Sequence, residues 1–418
     1  MKTPLCLFAS LTLAVGASAQ LGKHLPIANN NGSHKIDAQA IISAATSNTY
    51  NGCLGVAYDW HQATYYVSAR RSPTTPTTNP HMLFGIVWDA TTKAWKVTSY
   101  PVPGLSTSSW GLRDLAFDGK FLIYGSAENS ATGFKVLAFN TASKKFDSNF
   151  DVTVPSTSPA TTTRALAFNT HTQTFWAGNF SSNHVEFDKT GKQLKSVPNM
   201  QASSYGAGYD SVRKTVWWFG QGGASVATTR VVGREMDPKT GLATGNVFIG
   251  DTGIPHASYP GGVAGGCEFY VRKDGTPVLL LMAQATSDTI YEIYGCFNYG
   301  TPSNGDLTMN NQDPTLGNAA FGFTVSKSTA GAVALILGSQ KTAVPLNGPQ
   351  FAANTSIYTL PLNIMGSAIV ANGSATLPFP LPNVAAFKGL ATFWQAVGLH
   401  TSGPFDLSTT GGGETLLY

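Results

Sequence analysis

The chain of 418 residues is nearly balanced in charge: 26 Lys and Arg stand against 22 Asp and Glu, and charged residues make up 11% of the sequence. Because these charges are scattered and form no basic run, the sequence excludes the electrostatic footprint of a protein that binds nucleic acid or an anionic membrane surface. A chain of this length is expected to form two domains with sizeable cores.

Residues 1–19 have the three parts of a secretory signal peptide. Lys2 gives the positive start, Leu5 to Val15 form an apolar core, and Ala17-Ser18-Ala19 is a small-residue cleavage site. No later stretch reaches the roughly 18 apolar residues of a membrane helix, so no transmembrane segment is expected. We therefore expect a mature protein that is secreted, or that resides at the cell surface or in the periplasm.

The segment after the leader, residues 21–51, is polar and irregular except for the apolar stretch from Ile36 to Ala45. If the following repeats form a ring of sheets, this segment can supply a strand to the last sheet and hide its edge.

Five repeats follow, and each begins with a short apolar strand that ends on an aromatic residue. These strands read GVAYD, DLAFD, ALAFN, GAGYD and GCEFY, ending on Tyr58, Phe117, Phe168, Tyr209 and Phe269. The aromatic positions recur every 40 to 60 residues or so, which fits a four-stranded blade with variable loops. Since one such sheet cannot bury both its faces alone, the repeats predict an all-β protein with a five- or six-bladed β-propeller over residues 20–297.

The repeat pattern resembles that of the NHL-type propellers. In those families the first strand ends in an acid, the second reads Val-Tyr-Val-like, and the third ends in a hydrophobic residue plus Asp. The corresponding third-strand ends here are Trp88-Asp89, Phe139-Asn140, Phe187-Asp188 and Met236-Asp237. The resemblance covers residues 51–295 and implies a propeller built from such blades.

Acids and amides recur at the strand ends, at Asp59, Asp118, Asn169 and Asp210. They could be read as a ring of ligands. We interpret them instead as turn residues, because Asp and Asn at a strand end bond backbone groups two residues on and should then recur in every repeat.

Positions just before the first strands differ from repeat to repeat, and in propellers such positions lie near the mouth of the central channel. They carry a mixture of aromatic, guanidinium, imidazole and carboxylate groups that suits a sugar or a small carboxylated ligand. The candidate site therefore consists of Trp110, Arg113, Arg164, Tyr205, His256, Tyr259 and Glu268. The expected partner is an extracellular glycan, peptide or small molecule.

Motifs for catalysis are missing from the sequence: it has no Gly-x-Ser-x-Gly elbow, no HExxH, no CxxC and no phosphate loop. We therefore expect a non-catalytic binding or scaffold protein without a cofactor. The alternative is a propeller hydrolase or lyase of the lactonase or esterase kind. It would hold a divalent ion such as Ca²⁺ on Glu268, Asp114 and Asn51.

Three cysteines follow the leader, Cys53, Cys267 and Cys296, so at most one intramolecular disulfide can form. The favoured pair is Cys267 with Cys296, and a bond from Cys53 to either of them is the alternative.

The repeat pattern ends near Phe297, where we place a domain boundary. Residues 298–418 contain short apolar strands separated by Gly, Pro, Asn and Ser, and they predict a β-sandwich. This segment resembles a C-terminal module of secreted proteins from planctomycete-like and related bacteria, which implies an exported bacterial protein. The resemblance rests on Pro314 to Asn318, Phe321, Ala332 to Gly338, Pro380 to Pro382 and Leu390 to Ala396.

Overall fold

The computed structural model shows a chain built mainly from β-strands. It describes residues 23–24, 35–47, 50–71, 81–105, 110–127, 133–155, 163–221, 231–249, 263–273, 277–284, 287–294, 296–299, 302–309, 319, 321–360, 362–387 and 390–416. No helix in these ranges is long and apolar enough to cross a membrane. The chain divides into two compact units, a first unit of residues 21–244 and 248–294 and a second unit that includes residues 295–418.

The N-terminal segment contributes two short strands and a helix, β1 (Lys23–His24), β2 (Lys35–Asp37) and α1 (Ala38–Thr46). The helix begins after Asp37 because that side chain accepts a hydrogen bond of 2.9 Å from the N–H of Ala40. It ends at Ser47, which has a left-handed backbone conformation.

The described strands of the first unit form five antiparallel sheets. The first contains β3 (Tyr50–Asp59), β4 (Thr64–Arg71), β5 (His81–Asp89) and β6 (Ala94–Pro101). The second contains β7 (Leu112–Phe117), β8 (Leu122–Ala127), β9 (Gly133–Asn140), β10 (Lys145–Phe146) and β11 (Val152–Pro155), with a 3₁₀ turn at Ser148–Phe150. The third contains β12 (Ala165–Asn169), β13 (Thr174–Gly178), β14 (His184–Phe187) and β15 (Gln193–Val197). The fourth contains β16 (Ser204–Asp210), β17 (Thr215–Gln221), β18 (Val231–Asp237) and β19 (Leu242–Ile249).

The fifth sheet joins the two ends of the first unit. Its own strands are β20 (Val263–Val271), β21 (Pro277–Gln284) and β22 (Thr289–Tyr294). Both β1 and β2 pair antiparallel with β22, and Ile36 lies opposite Ile290. The prediction that the N-terminal segment completes the last sheet is confirmed.

The first strands of the five sheets pack against one another in order, β3 on β7, then β12, β16 and β20, and β20 packs on β3 again. The approach is close enough to require glycine. A Cβ atom on Gly206 would lie 2.4 Å from the nitrogen of Cys267, and one on Gly266 would lie 2.6 Å from the nitrogen of Val56. The first strands therefore surround a narrow common axis.

The acids and amides at the strand ends have the turn role that the sequence predicted. Asp59 Oδ1 accepts hydrogen bonds from the N–H groups two and three residues on, and Asn169 and Asp210 do the same. Asp118 Oδ1 accepts three such bonds. These side chains therefore stabilise the turns in which they lie.

Cys53 and Cys267 are free and buried thiols. The Cys267–Cys296 disulfide that the sequence favoured is therefore not present. Cys267 pairs in register with Leu281 inside the fifth sheet, whereas Cys296 begins a strand of the second unit and pairs with Thr415.

The second unit contains ten described strands. They are β23 (Cys296–Tyr299), β24 (Asp306–Met309), β25 (Gly322–Ser326), β26 (Ala332–Gly338), β27 (Gln340–Pro345), β28 (Ser356–Leu360), β29 (Asn363–Ile369), β30 (Ala375–Pro378), β31 (Ala391–Leu399) and β32 (Leu407–Leu416), with a 3₁₀ turn at Ala385–Phe387. A sheet in the order β23-β32-β31-β26-β29 and a sheet in the order β24-β25-β30 share one hydrophobic core, and β27 and β28 form a hairpin. Trp394 lies in that core, 4.6 Å from Phe323 between ring centroids.

Candidate functional site

Asp114 lies at the axis of the first unit and is completely buried. Within the described ranges its carboxylate accepts four backbone N–H bonds. Oδ1 accepts from Leu115 at 2.9 Å and from Cys267 at 3.1 Å. Oδ2 accepts from Leu166 and Ala207, both at 2.8 Å. One side chain thus joins the first strands of four sheets.

Glu268 is a second axial acid, and it is also buried. Its Oε1 accepts the N–H of Phe117 and its Oε2 accepts the N–H of Tyr58, both at 2.6 Å. Burial raises the pKa of this carboxyl to about 8, although the two backbone bonds lower it in part. Glu268 therefore holds a proton near neutral pH while it connects the fifth sheet to the first and second.

Both acids occupy positions where the other repeats have small residues. Asp114 corresponds to Gly55, Ala165, Gly206 and Gly266. Glu268 corresponds to Ala57, Ala116, Ala167 and Gly208. A lone acid in a column of Gly and Ala is the sequence signal that identifies these axial residues.

A cavity of about 400 Å³ opens where the first strands end, and all five sheets contribute to it. Its aromatic lining is Trp60, Phe117, Phe168, Tyr209, Phe269 and Tyr270, and its polar lining includes Asp118, Lys120, Thr170, Gln173, Ser211 and Glu268. This combination of aromatic walls and a few polar groups is typical of small-ligand sites. No motif in the sequence indicated a cavity at this end of the strands.

Four of the predicted site residues come together near the starts of the first strands. The guanidinium carbon of Arg113 lies 5.1 Å from the ring centroid of Trp110 and 5.9 Å from that of Tyr205. The Tyr205 ring lies 4.7 Å from the ring of Phe180, and Arg164 stacks on Phe180 at 4.0 Å.

Two residues that sequence reasoning missed complete this group. Phe180 connects Arg164 to Tyr205, and Arg70 lies over Trp110 at 4.2 Å. We refer to Arg70, Trp110, Arg113, Arg164, Phe180 and Tyr205 as the Trp110 cluster. Trp110 is 48% exposed, so one face of the cluster is open to solvent.

Of the remaining predicted site residues, Glu268 does not join this cluster. Glu268 lines the cavity at the other ends of the first strands. His256 and Tyr259 lie outside the described residues.

Two of the three metal ligands considered from sequence, Asp114 and Glu268, lie in the part of the chain whose side chains are described. It contains no group of three or more His, Cys, Asp or Glu side chains placed to hold a metal ion. Asp114 and Glu268 direct their oxygens at backbone N–H groups instead. The side chain of Asn51 is outside the described set.

Other buried carboxylates are also engaged by neighbouring side chains. Glu235 accepts hydrogen bonds of 2.6 Å from the hydroxyls of Thr215 and Thr244. Glu292 accepts one of 2.7 Å from Tyr270 and contacts Tyr65 and Arg272. Glu235 thus connects strands within the fourth sheet, whereas Glu292 connects the fifth sheet to Tyr65 of the first.

No protein-family model matches the sequence, and no curated protein matches it. Among solved structures, hydrazine synthase from Kuenenia stuttgartiensis aligns with a TM-score of 0.33 and 10% identity, over 69% of this chain and 77% of that one. An exo-β-1,3-galactanase from Phanerochaete chrysosporium, solved with β-1,3-galactotriose, aligns with a TM-score of 0.37 and 10% identity, over 87% of this chain and 95% of that one. Similarities this low carry no argument about the fold or activity, and no family match supports the resemblance to NHL-type propellers.

Proposed function

We propose that the first unit is a five-bladed β-propeller, that the second is a β-sandwich, and that the protein binds an extracellular ligand without catalysing a reaction. The ring of five first strands supports the blade count. Export is proposed on the leader-like residues 1–19, which lie outside the described residues. Amino-terminal sequencing of the protein secreted by its host tests it, and a start at Gln20 is expected.

The observation that carries the non-catalytic function is the bonding of the two axial acids. Asp114 has two backbone donors on each oxygen, and Glu268 has one on each. A general acid or base must reach the proton that it transfers, whereas these oxygens face the protein's own backbone. Their arrangement supports a structural role at the axis.

The Trp110 cluster supports ligand recognition. Exposed indole and partly exposed phenol rings stack on sugar rings or peptide groups, and guanidinium groups bind carboxylates. The proposed ligand is a glycan, a peptide or a small molecule that places a flat face on Trp110.

Binding is tested by titrating a panel of oligosaccharides and short peptides while following tryptophan fluorescence and heat release. Trp110→Ala should weaken binding of any positive probe by about tenfold or more. Phe121→Ala is the control, because Phe121 is also an exposed aromatic residue but is not part of the cluster. Equal binding by the Trp110→Ala variant would remove the cluster as the site.

The alternative of a propeller hydrolase or lyase has one observation in its favour. Glu268 carries a raised pKa and lines a cavity, as a general acid would. Chromogenic esters and lactones provide the test. Turnover by the native protein that Glu268→Gln abolishes, with the variant still folded, would favour the enzyme.

A further inference from the structure

The cavity at the ends of the first strands contains backbone donors that the axial acids do not take up. In an antiparallel pair, the N–H groups of residues i and i+2 face the same edge of the strand. The N–H of Leu166 faces the axis, where it bonds to Asp114. Since β12 pairs regularly with β13 from Leu166 to Phe168, the N–H of Phe168 also faces the axis.

The same reasoning holds for the neighbouring sheet. The N–H of Ala207 bonds to Asp114, and β16 pairs regularly with β17 from Ala207 to Tyr209. The N–H of Tyr209 therefore faces the axis as well. In the described part of the chain, the axial acid closest to these two positions in the repeat alignment is Glu268. The two backbone N–H groups that donate to Glu268 are those of Tyr58 and Phe117.

The protein contains its own example of what such a pair of donors binds. Two residues earlier on the same strands, the N–H groups of Leu166 and Ala207 both donate to a single carboxylate oxygen, Asp114 Oδ2, at 2.8 Å each. Phe168 and Tyr209 repeat this pair two residues further along the same two strands, and both line the cavity. Backbone N–H groups that converge in this way recognise anionic oxygens.

The other polar groups of the cavity fit a ligand with one acidic group. Lys120 lies exposed among the lining residues and can attract an anion. The carboxylate of Asp118 is occupied in part by three N–H bonds of its own turn. Trp60, which lines the cavity and is only partly buried, can pack its ring against the body of the ligand.

We propose that this cavity is a second binding site, separate from the Trp110 cluster, for a small carboxylic acid whose carboxylate accepts the N–H groups of Phe168 and Tyr209. The cavity volume of about 400 Å³ limits the ligand to the size of a monosaccharide acid or a single-ring aromatic acid.

The test uses isotope-labelled full-length protein and two matched pairs of probes, D-glucuronate with D-glucose and benzoate with benzyl alcohol. We expect at least one of the acids to shift the amide resonances of Phe168 and Tyr209, and we expect its neutral counterpart to leave them in place. The proposal is overturned if neither acid moves these resonances, if the neutral counterparts move them equally, or if the acids shift only the amides of the Trp110 cluster.

Charge variants provide the second measurement. Lys120→Glu should weaken binding of the acid about fivefold, since it replaces an attraction at the rim by a repulsion. Lys145→Glu makes the same charge change on an exposed residue outside the cavity lining and should leave the affinity unchanged. Equal weakening by both variants would indicate adsorption to the surface and would contradict the site.

Discussion

The carboxyl groups of Asp114 on β7 and Glu268 on β20 together bond to the backbone of all five first strands. Asp114 connects its own strand to β12, β16 and β20. Glu268 connects β20 to β3 and β7. The N–H groups at the inner edges of the first strands face the axis and not a paired strand. The oxygens of the two acids accept hydrogen bonds from several of these groups.

Replacing Asp114 by Asn should destabilise the first unit strongly. The amide keeps the shape of the side chain, but its NH₂ group cannot accept the bonds that one carboxylate oxygen accepts. Buried donors left without acceptors should lower the free energy of unfolding by about 3 kcal/mol, measured by urea denaturation. Asp188→Asn is the control, since Asp188 is only partly buried and accepts its hydrogen bonds through one oxygen, Oδ1. A loss of less than about 0.5 kcal/mol for Asp114→Asn would contradict the axial role.

Stability should fall as the pH rises through the range in which Glu268 titrates. Its folded pKa is raised to about 8 by burial, so the native state holds the proton more tightly than the unfolded chain. The contribution is complete below the ordinary glutamate pKa and is lost as the pH approaches 8. One proton corresponds to a slope of up to about 1.4 kcal/mol per pH unit.

The measurement is urea denaturation of the native protein and of Glu268→Gln at several pH values between about 5 and 9. Glu268→Gln should show a flatter dependence between about pH 5 and 8, whatever its absolute stability. Burial also raises the pKa of Asp114, so some pH dependence should persist in the variant. Identical slopes for the two proteins would show that Glu268 does not titrate in this range.

The order of strands in the first unit could be predicted from sequence because each sheet repeats the same local pattern. A buried aromatic residue followed by a turn acid or amide, as in Phe168 and Asn169, identifies the end of a first strand. The closing strand was also predictable, because Ile36 is apolar within a polar segment. Both signals are local in sequence.

The cavity was not predicted because its position depends on which end of the ring stays open. The sequence pattern places Glu268 at the same end as Trp110, since both interrupt the repeats. The structure separates them by the length of a first strand. Comparison of aligned columns would have placed Glu268 with Ala57 and Gly208, at the axis.

In the second unit, β29 has no sequence pattern that would predict a strand. Its large apolar residues are exposed to solvent: Ile364 is 74% exposed and Ile369 is 82% exposed. It also contains Gly366, which weakens the strand pattern. The strand is held by pairing with β26 rather than by a buried face.

The turn role of Asn169 predicts opposite results for two substitutions. Asn169→Asp should change stability by less than about 0.5 kcal/mol, because Asp has this position in three other repeats and keeps the Oδ1 acceptor. Asn169→Ala should cost about 1 kcal/mol, since the N–H groups of His171 and Thr172 lose their acceptor. Thermal melting of the two variants distinguishes them. Equal losses would indicate that the amide group itself has a role, as a ligand-binding reading would require.

The buried thiols predict slow alkylation in the folded protein. Burial raises the pKa of both Cys53 and Cys267 well above the ordinary value, so little of the reactive thiolate is present. Iodoacetamide should label neither residue in the native protein, and it should label both in urea without a reductant. Peptide mass spectrometry measures this. A Cys267 that stays unlabelled in urea until a reductant is added would show that it forms a disulfide.

The pairing of β2 with β22 predicts that stability depends on the N-terminal strand. Ile36 is 1% exposed and lies opposite Ile290. Ile36→Ala should therefore leave a cavity and lower the free energy of unfolding by about 2 to 4 kcal/mol. Lys35→Ala, at the exposed neighbouring position, should change it by less than about 0.5 kcal/mol.

Hydrogen exchange locates the effect of Ile36→Ala within the ring. If β2 completes the fifth sheet, the amides of β22 should lose protection first, because their outer partner is weakened. The amides of β13, in the third sheet, should lose protection only with global unfolding. An equal loss of protection in β13 and β22 would show that the ring opens as one unit rather than at the edge where the two ends of the chain meet.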